Sequence, residues 1–147
     1  MLKPYGKDQN IDVAPCQKVL HICQTDIRSD SRVLKQINAL KKNGFVVKGV
    51  GVRGSYVDSG IAGNTTSDLE LVGVSFKGYK RLPKIFKHAV VMLSLLFRCL
   101  IISVKFRPNF VHCHDTIALP IGVFLGVLMS AKVIYDAHEL ESNRNGL

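Results

Sequence analysis

The sequence predicts an α/β fold: an open, mostly parallel, Rossmann-like sheet with helices on both faces. Three observations carry this. Short apolar runs recur at 18–23, 45–52, 69–76, 110–113 and 132–135, and a continuous apolar run of that length fits a strand buried on both sides. Helix-length segments with capping signals separate several of them. The chain has 147 residues, 47% of them hydrophobic, enough for one core and too apolar for a disordered chain. No glycine period, heptad or internal repeat points to a fibrous, coiled-coil or solenoid class.

Residues 1–17 carry Pro4 and Pro15 and read as a polar lead-in, which leaves 18–147 as the folded unit. Lys18-Val19-Leu20-His21-Ile22-Cys23 is the first strand. Asp30 or Ser31 caps a helix from Arg32 to Asn43, with Val33, Ile37 and Leu40 as its apolar stripe. Asn43-Gly44 closes it, and Phe45 to Val52 completes a β-α-β unit. A Gly/Ser/Asn loop over 53–68 leads to a third strand from Leu69 to Phe76. Pro83 opens a long helix to about Lys105. Its expected core stripe is Ile85, Ala89, Leu93, Leu96, Leu100 and Val104, with Val91, Leu95 and Ile102 off it, so it is apolar nearly all round. Its run from Ala89 to Val104 holds Arg98 and falls short of the ~20 apolar residues of a spanning helix, so no span is expected. Phe110 to Cys113, a helix from Ile117 to Ala131 with Pro120 in its first turn, and Lys132 to Tyr135 complete the order.

Twenty Lys+Arg against eleven Asp+Glu give a net charge of +9. Nucleic-acid modules interleave basic residues with aromatics; here Trp is absent and the basic residues flank apolar segments, so nucleic acid is not an expected partner. An anionic membrane face and a phosphorylated ligand remain. Cys16, Cys23, Cys99 and Cys113 form no C-x-x-C, and are expected to be reduced and mostly buried. No apolar leader follows Met1, and a cytoplasmic location is expected, peripheral on the inner face of the cell membrane if the basic helix docks there.

Ligands bind at the carboxyl ends of strands in such sheets, which selects three tips. The first is Gln24 to Asp30, where Asp26 and Arg28 are candidate binding residues. It has no G-x-G-x-x-G, which argues against a dinucleotide. The second is His112-Cys113-His114-Asp115. His112 and His114 share a strand face; His112 is expected to be buried and bonded within the strand, while His114 at the tip beside Asp115 is the candidate functional imidazole. A metal site would draw on His112, His114, Asp115 and His138, but no H-E-x-x-H or facial-triad spacing supports one, so no metal is expected. The third tip is Asp136-Ala137-His138-Glu139, a polar cleft wall or a capping box.

The first-strand run, the Ser29-Asp30-Ser31-Arg32-Val33 helix start, Leu40 to Val47, Arg107-Pro108-Asn109-Phe110-Val111-His112-Cys113-His114-Asp115 and Val133-Ile134-Tyr135-Asp136-Ala137-His138-Glu139-Leu140 occur in this order. Together they resemble the N-terminal lobe of retaining glycosyltransferases of the large family-four group, which have the GT-B fold, over about residues 18–142. The resemblance implies a nucleotide-sugar donor, used as substrate with no further cofactor. It implies transfer with retention to a glycan, lipid-linked or small-alcohol acceptor. His114 matches the histidine near the transferred sugar, Asp115 would orient it or touch the acceptor, and His138 and Glu139 would line the cleft. The first loop has Asp26-Ile27-Arg28-Ser29 where many relatives have Gly-Gly. The family's donor-binding Glu-x₇-Glu motif would lie beyond Leu147, so the resemblance implies a fragment, a truncated product or one part of a split enzyme. The alternative is a non-catalytic acceptor-binding or membrane-docking subunit of such an enzyme; an unrelated nucleotide-binding module is a third reading.

Overall fold

The computed structural model describes residues 16–53, 68–73 and 83–137. The expected lead-in up to residue 15, most of the 53–68 loop, the end of the third strand and His138 with Glu139 lie outside them. Five strands, β1 (Lys18–Ile22), β2 (Val46–Val52), β3 (Leu69–Val72), β4 (Phe110–Cys113) and β5 (Lys132–Tyr135), form one sheet in the order β3-β2-β1-β4-β5. Every pairing is parallel. The order reverses between β1 and β4, the switch point of an open Rossmann-like α/β sheet.

Strand alternation divides the core in two. Leu20, Ile22, Val50, Val111 and Cys113 pack on one face against α2 (Lys84–Phe106) and α3 (Leu119–Met129). Val19, Cys23 and Val47 pack on the other against α1 (Ser31–Lys42). The Asp30 carboxylate caps α1 by accepting from the Arg32 and Val33 N–H groups, and Asn43 ends it ahead of Gly44 at φ 82°. Val33 and Ile37 are buried as the stripe predicts.

Helix α2 docks by a different face from the expected one. Leu95, Cys99, Ile102 and Phe106 are buried, while Ile85, Leu93 and Val104 are at least 60% exposed. A helix apolar on every side carries no polar face to fix its orientation, and the small Cys99 and Ser103 lie on the side seated against the sheet. At 23 residues, with mean hydropathy 2.1 in an 18-residue window, α2 is also long and apolar enough to cross a membrane. The 16-residue ground for excluding a span therefore falls; such helices also serve as core helices, and 28% of that window is buried. Phe86, Leu93, Phe97 and Val104 form one exposed stripe along it. Val123, Phe124, Val127 and Leu128 of α3, packed on the same sheet face, are exposed as well.

Candidate functional site at the carboxyl ends of the strands

The loop after β1 folds back over the end of β2. Gly49 and Gly51 make this possible, since a Cβ at Gly51 would stand 2.6 Å from the Thr25 carbonyl oxygen and 2.9 Å from the Ile27 nitrogen. The Val52 N–H donates to the Thr25 carbonyl at 3.1 Å, and Ile27 is fully buried. Within this loop the Asp26 carboxylate accepts from the Arg28 backbone N–H at 3.0 Å and from its guanidinium at 3.2 and 3.1 Å. Those Arg28 side-chain bonds hold the Asp26 carboxyl below its ordinary pKa, against the opposing effect of burial. Asp26 is 8% exposed. It therefore shapes the loop, while the Arg28 side chain, 29% exposed, remains the part of the pair that reaches solvent.

Beyond β4, the Asp115 carboxylate accepts from the Gln24 N–H at 2.6 Å, joining the two central strand tips across the switch point. The main chain reinforces the join: His114 N–H donates to the Ile22 carbonyl at 3.1 Å, and Asp136 N–H to the Cys113 carbonyl at 2.9 Å. The tips of β1, β4 and β5 are thus one rigid rim. Asp136 accepts from the Gln36 side-chain amide of α1 at 3.0 Å.

His112 of β4 and His114 at its tip differ from expectation in burial. His114 is 1% exposed and His112 only half-buried. His114 turns inward because a third imidazole meets it there: His21 Nδ1 lies 2.7 Å from His114 Nε2. On its other side, His114 Nδ1 stands 3.8 Å from Asp136 Oδ2. His112 faces His21 directly in the β1–β4 register. Burial, followed by the neighbouring His112 and His114, pushes the His21 pKa down to about 2; burial also lowers that of His112, with Asp136 opposing. His21 and Gln36 were not singled out from the sequence. The available signal was one polar residue inside the apolar run Lys18–Cys23.

His114 and Asp136 are brought together, Asp115 joins the β1 loop, and Asp26 and Arg28 pair with each other. A separate surface concavity lies among Gln17, Arg107, Asn109, Ser130 and Lys132 at the amino ends of the strands. Open α/β sheets place their ligands at the carboxyl ends, so the rim is the stronger candidate. No protein-family model matches the chain, and no curated protein matches it.

Proposed function

We propose that this chain is the N-terminal, acceptor-side lobe of a retaining glycosyltransferase with the GT-B fold, completed by a donor-binding lobe. The observation that carries the reading is the rim that the tips of β1, β4 and β5 form at the switch point, where the Asp115 carboxylate accepts from the Gln24 N–H and the Asp136 N–H donates to the Cys113 carbonyl. Of the segments that resemble the family, the first-strand run lies on β1, residues 107–115 on β4 and its tip, and residues 133–137 on β5 and its tip. Arg28 and Asp136, both about 30% exposed, are the groups placed to meet a sugar hydroxyl or a phosphate. His114 acts from inside, steadying Asp136 across 3.8 Å. Charge on a departing diphosphate calls for preorganised donors, which belong to the partner lobe. The sugar passes from the nucleotide to an acceptor hydroxyl in the cleft between the lobes.

The test is nucleotide-sugar turnover by the 147-residue chain alone and with a donor lobe supplied. Turnover is expected only in the second case, and His114→Ala there should lower kcat more than it raises KM. Robust turnover by the chain alone, or His114→Ala at wild-type kcat, overturns the proposal.

One observation favours a second role, docking on an anionic membrane. The exposed stripes of α2 and α3 form an apolar face, and α2 carries Lys84, Lys87 and Lys105 in a chain of charge +9. Binding to anionic vesicles should weaken as salt rises and be lost in Phe97→Glu. Equal recovery with neutral and anionic vesicles removes this role.

A further inference from the structure

Three imidazoles gather on the α1 face of the sheet, where the glycosyl-transfer reading uses one. His21 comes from β1, His112 lies opposite it on β4, and His114 follows two residues on. The His112 ring centroid is 4.8 Å from that of His21 and 4.3 Å from that of His114. One nitrogen from each residue falls within a 4.8 Å spread. His21 is fully buried. Such burial keeps the ring neutral, which is the form that binds metals.

We propose that His21, His112 and His114 form a site for one divalent late-transition-metal ion of the zinc class. The ion would enter between His21 Nδ1 and His114 Nε2, replacing the proton they share at 2.7 Å. Metal–nitrogen bonds of ~2.0–2.1 Å at tetrahedral angles set ligand nitrogens ~3.3 Å apart. The buried pair must therefore part by about 0.6 Å, and His112 must close by at most ~1.5 Å. His112 is the one placed to move. It is half-buried and lines an apolar groove with Gln36, Phe110 and Ile134, which gives the ion its entry and leaves a fourth position open to water. Asp136, 3.8 Å from His114 Nδ1, stands where a carboxylate commonly orients a ligating histidine. A donor set of nitrogens alone selects zinc, cobalt or nickel over magnesium or calcium. The spacing of His112 and His114 did not disclose the site, because its third member lies 93 residues from His114.

The proposal shares His114 and Asp136 with the sugar-transfer reading but does not rest on it, and it is tested on the untagged, metal-stripped 147-residue chain. Titration with Co²⁺ should give the intense visible bands of a four-coordinate ion at one per chain, displaced by Zn²⁺, and Zn²⁺ should raise Tm. His112→Ala, whose folding is checked by circular dichroism, should weaken Co²⁺ binding by at least ~100-fold, the upper range for losing an outer-shell partner. His21→Gln should abolish the bands. Absent bands with an unchanged Tm in zinc overturn the site, as does binding that survives His112→Ala.

Discussion

Gly51→Ala tests whether the β1 loop owes its path to the missing side chain on β2. The new Cβ would meet the Thr25 oxygen at 2.6 Å and the Ile27 nitrogen at 2.9 Å. Both are main-chain atoms, so no rotamer change relieves them. An unstrained carbon–oxygen approach is ~3.3 Å or more, which requires the loop to retreat by about 0.7 Å. That retreat breaks the 3.1 Å bond from Val52 N–H to the Thr25 carbonyl, a loss of ~0.5–1.5 kcal/mol. Overpacking around the buried Ile27 adds ~1–3 kcal/mol. The reduced freedom of the unfolded chain offsets ~0.4–1 kcal/mol, leaving a net destabilisation of ~2 kcal/mol. Gly73→Ala is the control, since its Cβ would meet only the Arg53 side chain, at 3.8 Å or beyond. The unfolded-state gain is common to both variants, so their difference isolates the clash at ~3 kcal/mol. Urea unfolding at neutral pH measures it as a shift in midpoint at constant slope. A difference under ~0.5 kcal/mol, the scatter of ordinary surface substitutions, would refute the reasoning.

The His cluster makes stability depend on acidity. The folded His21 pKa of about 2 lies below its ordinary 6.5, so the unfolded chain takes up the proton first on acidification. Stability is complete above about pH 6.5 and falls below it by up to ~1.4 kcal/mol per pH unit for this group. Urea midpoints between about pH 7 and pH 5 should show that slope, and His21→Gln should flatten it; an unchanged slope in the variant refutes the assignment. Thiol labelling should be selective. Cys16 is exposed, whereas burial pushes the Cys99 thiol up to about 12, that of Cys113 to about 11 and that of Cys23 higher still. Since thiolate is the reactive form, a maleimide followed by peptide mass analysis should mark Cys16 alone in the native chain, and native labelling of Cys113 contradicts the packing.

What was legible in the sequence follows from which forces act locally. The limits of α1 were readable because Asp30, the Val33–Ile37 stripe and Gly44 are each interpretable within a turn or two of chain. The five strands were readable as apolar runs, and period-two alternation placed His112 and His114 on one face. The docking side of α2 was not readable, because Phe86, Leu93, Leu95 and Ile102 are equally apolar and only the sheet distinguishes them. The inward turn of His114 was not readable either, since the cause is His21, on a strand whose pairing is fixed by topology. Yet a constraint was present. A strand enclosed on both faces tolerates a polar side chain only where a partner meets it. His21 sits inside such a run, and β1 is central in the sheet. Its partner therefore had to come from a neighbouring strand or from a helix lying over it, and β4 and its tip carry two imidazoles on alternate residues, His112 and His114. Once β1 and β4 are neighbours, register and alternation bring all three rings together, so the switch point determines both where the rim can bind and which histidines lie beneath it.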